Sequence, residues 1–341
     1  MQALPARAAA SGAAAARPPA AARPPAWPRS RKVADRRPAG ALPSAHHCPS
    51  LVGSGGVSTG LVIFLAALQG ATELFPVSSL GHAVVVPALF NLGVDPAAKS
   101  FVPFLALLHL GTGGALLILY REQWWRIIRG FVAAAVRGRI ETTDERLAYL
   151  LVVGTIPAGV IGFLLETPLK SLFAHPRTAA IFLIVNGVIL AAAEVLRRRD
   201  ERRRGGRDRA GREQRFGTVE ELSYLRAGLV GVFQAGALLP GISRSGVTMA
   251  GGLVAGLRHT EAVRFAFLLA TPVILAAGLL EVPQLGGSGA PLGLYTVGAV
   301  VAGVIAYASA RLLVRYFEIG RLDPFAGYCA ALGVVGLIIL R

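Results

Sequence analysis

Six apolar runs of about bilayer-crossing length dominate the 341-residue chain, near 101–121, 147–166, 178–196, 262–282, 292–314 and 322–340. A helix of about 20 apolar residues matches the hydrocarbon thickness, and in lipid each segment must satisfy its own backbone polar groups. With 54% hydrophobic and 16% charged residues and a mean hydropathy of +0.57, the chain reads as an all-α polytopic membrane protein rather than a soluble bundle. Two more apolar pairs, about 58–71 with 81–92 and 223–238 with 247–257, are broken in the middle by polar knots. Neither arm of a pair can span alone, so each pair reads as a re-entrant helix-loop-helix that enters and leaves by one face.

The knots are related to each other. The first runs from Gln69 through Glu73, Pro76, Ser78, Ser79 and Gly81 to His82, and the second from Gln234 through Pro240, Gly241, Ser243, Arg244, Ser245 and Gly246 to Thr248. At a constant offset of 165 residues, Gln69 maps to Gln234, Ser78 to Ser243, Ser79 to Arg244 and Gly81 to Gly246. Paired interruptions in corresponding halves of a membrane protein point to its substrate site.

Four segments follow. Residues 1–56 form an Ala-, Pro- and Arg-rich tail, disordered or misassigned, with too little apolar periodicity to fold. No continuous h-region follows its early arginines, so a secretory signal is disfavoured, and a start codon placed too far upstream is preferred over an organelle transit peptide. Residues 57–196 are a first repeat of a re-entrant pair plus three spans, 197–222 a basic loop, and 223–341 a second repeat. Three spans are an odd number, so the second repeat enters from the opposite face and the topology is inverted.

Charge orients the chain. The loops around 121–146, 197–226, 257–264 and 311–321 together hold 22 Lys and Arg residues, whereas the opposite side has Lys99, Lys170, Arg177 and Arg341 apart from the tail. The positive-inside rule places the first set in the cytoplasm and both termini outside. Of the net charge of +16, the densest basic run is the ten arginines from Arg197 to Arg215, which have acidic residues between them. In a membrane protein that marks orientation and contact with anionic membrane lipids, not nucleic acid. Cys48 and Cys329 cannot build a disulfide framework or a cysteine-rich metal site.

Glu73 and Arg244 are ionisable groups at membrane depth, each costing roughly 2.5–3.5 kcal/mol to insert. A structural ion pair between the repeats is one reading, but it leaves the serines, glycines and histidine without a purpose. Both Ser-Gly runs precede an apolar arm and can offer helix N-terminal N–H groups to an anion, or simply cap those helices. Beside a fixed Arg they suggest a phosphate or diphosphate pocket lined by Ser78, Gly81, Gly241, Ser243, Ser245, Gly246 and Thr248. His82 lies three residues after Ser79, within reach across a first turn, so the pair can form a base-activated nucleophile. Gln69 and Glu73 share one helix face and could hold a hard divalent cation, Mg2+ or Ca2+; alternatively Glu73 orients His82 or Arg244. His109, alone in a span, is read as structural.

This set of motifs resembles the bacterial undecaprenyl-diphosphate phosphatases of the BacA/UppP type, from residue 57 to the C-terminus. The resemblance implies a multi-pass enzyme of the bacterial plasma membrane that removes the terminal phosphate of undecaprenyl (polyprenyl) diphosphate. It thereby implies recycling of the carrier lipid for peptidoglycan, divalent-cation dependence and bacitracin resistance on overproduction. It further implies that Ser79 is the nucleophile, His82 its proton-transfer partner and Arg244 the phosphate ligand. Glu73 and Gln69 would occupy the acidic motif, although Gln69 stands where many members have Glu. A homodimer is among the expected assemblies. The rival from another class is a transporter or flippase of an anionic polyprenyl-phosphate lipid, since inverted repeats are also transporter architecture.

Overall fold

Pro76 and Pro240 lack the N–H that would continue a helix, and each stands just beyond a short apolar arm. Helix breaks fall at both places. The computed structural model describes residues 58–165, 172, 175–204, 217–287 and 291–340. The tail at 1–56, with the expectations placed on it, and most of the Arg-rich segment lie outside the described residues.

Within the described residues the regular elements are helices, apart from an isolated bridge between Gly217 and Leu257. In chain order α1 is Thr59–Thr72, α2 Ser79–Leu89, α3 Phe101–Leu119, α4 Arg121–Arg137, α5 Thr143–Leu164 and α6 Pro176–Arg204. After the basic segment come α7 Tyr224–Ala235, α8 Arg244–Val254, α9 His259–Glu281, α10 Leu292–Tyr316 and α11 Asp323–Ile339. The helices α3, α5, α6, α9 and α10 are long and apolar enough to cross a membrane. The sixth apolar run forms α11, whose 17 residues sit at the short end of the spanning range.

One element differs from expectation. Residues 121–146 read as a charged loop, yet most of that stretch is the amphipathic α4. Its inner face buries Gln123, Ile127 and Ala134, while its six-arginine neighbourhood hides the helical period in any average of hydropathy. Gly138, at φ 70°, ends α4 in the left-handed conformation. A capping box then starts α5: Thr142 Oγ1 accepts from the Glu145 N–H at 3.3 Å, and the Glu145 carboxylate accepts from the Thr142 N–H at 3.2 Å. Arg137 donates to the same carboxylate and ties the two helices together.

The molecule is apolar outside and polar within. Phe163, Leu280, Val304 and Ile338 are more than half exposed, whereas Gln69, Glu73, Ser79, His82, Asn186 and Glu194 are buried. That arrangement suits a lipid solvent. Helices then associate through close packing of small residues. A Cβ on Gly111 of α3 would lie 1.9 Å from the carbonyl oxygen of Ala299 on α10, so only glycine permits this approach. Gly111→Leu is expected to cost roughly 1–3 kcal/mol of stability through overpacking. Thermal unfolding in detergent checks this, with Gly114→Ala unchanged because nothing lies within 4 Å of that position.

The short arms sit inside this frame. α1 packs along α10 and α7 along α5, α3 touches both α9 and α10, and α6 lies against α11. α2 packs on α6, and α8 packs on α6, α7 and α9. The helix-starting ends of α2 and α8 thereby meet.

Candidate active site

The first knot begins at the end of α1. Glu73 is its C-cap residue, with its N–H bonded to the Gln69 carbonyl at 2.9 Å. Ser78 then takes φ 69° and ψ 95°, a conformation L-residues seldom adopt, and its hydroxyl caps α2 by accepting from the Gly81 N–H at 3.2 Å. This reversal sets the first residue of α2, Ser79, against the last of α1. The Ser79 hydroxyl donates to Glu73 Oε2 at 2.5 Å.

The Glu73 carboxylate is the hub. Gln69 Nε2 donates to Oε2 at 2.8 Å, and His109 Nε2 stands 3.1 Å from that same oxygen. Arg244, the first residue of α8, donates to Oε1. With its side chain only 4% exposed, the carboxylate is desolvated, and removal of a partner from a buried pair is costly. The pair alone would serve as a bridge between halves. The serine on the same carboxylate is what gives it chemical potential.

The second knot closes on the first at several points. Ser243 caps α8 by accepting from the Gly246 N–H at 3.1 Å. Its hydroxyl and that of Ser245 both reach the Phe75 carbonyl, at 3.3 and 2.9 Å. Asn186 of α6 stitches the two together, donating to the Pro76 carbonyl at 3.0 Å and accepting from the Ser243 N–H at 3.0 Å. Gly241 has φ 103°, and a Cβ there would sit 2.3 Å from the Ala179 carbonyl oxygen. A Cβ on Gly81 would stand 3.1 Å from the Gly241 Cα, and one on Gly246 would stand 3.2 Å from Pro76 Cβ. Ser78 and Ser243 therefore cap helices, as their ordinary role allows. The N–H groups of the residues after them remain outside the helical ladder and available to an anion.

Polar atoms are left over. Gln69 Oε1, Thr248 Oγ1 and both amide atoms of Gln234 are buried and have no hydrogen-bond partner among the described residues. Thr248 lies one turn after Arg244, on the same face of α8. Buried donors and acceptors without partners are uncommon in native proteins and call for a guest such as water, an ion or a substrate. Among the described residues no three His, Cys, Asp or Glu side chains form a metal-holding group.

The two histidines behave differently from expectation. His82 does not reach Ser79: its Nδ1 bonds the Ser78 carbonyl at 2.7 Å, and its Nε2 meets the Tyr328 hydroxyl of α11 at 2.7 Å. His109, in contrast, joins the Glu73 cluster. Its Nδ1 lies 2.7 Å from the Leu105 carbonyl while Nε2 faces the carboxylate, so both ring nitrogens face acceptors. Asn186 and Tyr328 were also missed. For His109 and Asn186 the signal was present, as single polar residues within apolar spans. Tyr328 offers no such signal.

Together the fold and the site define a multi-pass helical membrane protein in which two broken helices enclose a serine, a carboxylate and an arginine. The chain belongs to the bacitracin resistance protein BacA family, whose profile matches residues 62–335. It is 43% identical over 324 residues to undecaprenyl-diphosphatase 2 of Frankia alni, covering 80% of this chain and 94% of that protein. To the undecaprenyl-diphosphatase of Acidiphilium cryptum it is 45% identical over 287 residues, covering 82% and 97%. The undecaprenyl-diphosphatase of Mycolicibacterium paratuberculosis is 46% identical over 293 residues, covering 81% and 95%.

Proposed function

We infer that this chain is an undecaprenyl-diphosphatase, hydrolysing undecaprenyl diphosphate to the monophosphate and inorganic phosphate and so recycling the carrier lipid for cell-wall synthesis. The observation that carries the inference is the Ser79 hydroxyl bonded to Glu73, whose other oxygen holds Arg244 from the second knot. Family membership and the names of the relatives agree with it.

The terminal phosphate is placed between Arg244, the starts of α2 and α8, and the unpartnered Thr248 hydroxyl, where positive charge and N–H groups converge on an anion. Ser79 Oγ attacks the terminal phosphorus and its proton passes to Glu73 Oε2. The bond to the bridging oxygen breaks, and the lipid monophosphate leaves with that electron pair. Water then attacks the phosphoseryl group and its proton passes to His82. Glu73 returns its proton to Ser79 as inorganic phosphate departs, and His82 gives up to solvent the proton taken from water, which restores the starting state. Gln69 Oε1, buried without a partner, and Glu73 would hold a Mg2+ or Ca2+ ion. When bound, such an ion supplies positive charge to the phosphate oxygens.

The packing supports the inverted-repeat reading. α1 on α10 is matched by α7 on α5, as an exchange of halves across an axis would give. The domain limits at 57–196 and 223–341, the bacterial plasma membrane, and a cytoplasmic Arg-rich loop belong to the same proposal.

Protein purified in detergent should release one phosphate per undecaprenyl diphosphate and leave the monophosphate, as read by chromatography. A flippase would turn over nothing in detergent micelles, so intact diphosphate after prolonged incubation would overturn the proposal.

A further inference from the structure

Tyr328 lies on α11, in a stretch that reads only as an apolar span, and its side chain crosses from the outer surface to a buried ring. The residue is 48% exposed, whereas His82, which its hydroxyl meets at 2.7 Å, is 1% exposed. The two rings are nearly parallel, with centroids 5.6 Å apart and 7° between planes.

The bonding pattern places a hydrogen on Nδ1. A carbonyl oxygen can only accept, so the Nδ1 facing the Ser78 carbonyl carries the hydrogen. In the neutral ring Nε2 then presents its lone pair, and the Tyr328 hydroxyl donates to it. An imidazole held at both nitrogens cannot rotate or change tautomer without breaking a bond. The hydroxyl also retains lone pairs of its own, so it can accept from a further donor while it donates to Nε2.

We propose that Tyr328 is a positioning residue for the diphosphatase reaction, acting through His82. Its hydroxyl keeps Nε2 in the proton-accepting form and aims it, and α11 thereby takes part in a site otherwise built from the two knots. This rests on the reading of His82 as a proton-transfer residue.

The hydroxyl and the ring are separable. Tyr328→Phe removes only the oxygen, whereas Tyr328→Leu removes the ring as well. With undecaprenyl diphosphate as probe in detergent, Tyr328→Phe should lower kcat by about tenfold and leave KM within about twofold, since positioning acts on the chemical step. In a His82→Ala background the same change should lower kcat no further. The Nε2 resonance of 15N-histidine-labelled protein should move in Tyr328→Phe while the variant stays folded at the assay temperature, as thermal unfolding checks. Three results would overturn the proposal: wild-type kcat in Tyr328→Phe with loss only in Tyr328→Leu, losses that multiply with His82→Ala, or an unmoved Nε2 resonance. Wild-type activity in His82→Ala would instead remove the underlying role of His82, and the proposal with it.

Discussion

Ser79→Ala is expected to lower kcat for phosphate release from undecaprenyl diphosphate by at least about a thousandfold, about 4 kcal/mol of barrier, while the protein stays folded. The hydroxyl sits at the first position of α2, where its removal deletes one donor to Glu73 and no helix hydrogen bond. The carboxylate keeps Gln69, His109 and Arg244 as partners, so little stability is lost. Rate and fold are thus separable at this residue. Steady-state phosphate release together with thermal unfolding measures both, and wild-type kcat in the folded variant would remove Ser79 from the reaction.

Arg244 should show a different balance. Arg244→Ala is expected to abolish turnover and also to destabilise the protein, by up to about 3–5 kcal/mol, because it leaves a buried carboxylate short of its charged partner. Arg244→Lys keeps the charge but loses the planar fork that suits a phosphate, so a loss of about 10- to 100-fold in kcat/KM with near-native stability is expected. A lysine variant as active as the wild type would show that charge alone is required there.

The reasons why some of this was legible in sequence, and some was not, are physical. Pro, Gly and Ser inside apolar sequence advertise a broken helix whatever surrounds them, so α1 with α2 and α7 with α8 could be placed within a few residues. The meeting of Glu73 and Arg244 could be foreseen because two charges in lipid have few other partners. The direction of the His82 ring could not. It depends on whether Nδ1 turns back to the Ser78 carbonyl and on which helix then supplies Tyr328, and residue spacing carries neither. His109 lies 36 positions beyond Glu73 on another helix, and only the packing of α3 shows that it faces the carboxylate. The amphipathic α4 was hidden for a further reason. Its arginines raise the local charge while its apolar residues keep a helical period, and a search for membrane spans weighs only the former.

Gln69 Oε1 and Thr248 Oγ1 are both buried without a partner among the described residues, the first on a side chain that bonds Glu73 and the second one turn along α8 from Arg244. In the proposed complex a phosphate oxygen would accept from the threonine and a cation would use the amide oxygen. On the proposed function, bound substrate would supply partners for Gln69 and Thr248.

The sharpest measurement is a double-mutant cycle on kcat/KM across the knots, with Glu73→Gln and Arg244→Lys made singly and together. If the two broken helices build one phosphate site, the double variant should lose little more than the worse single one, a coupling of about 1 kcal/mol or more. Losses that simply multiply would mean that the carboxylate and the guanidinium act independently, and the shared site would have to be abandoned.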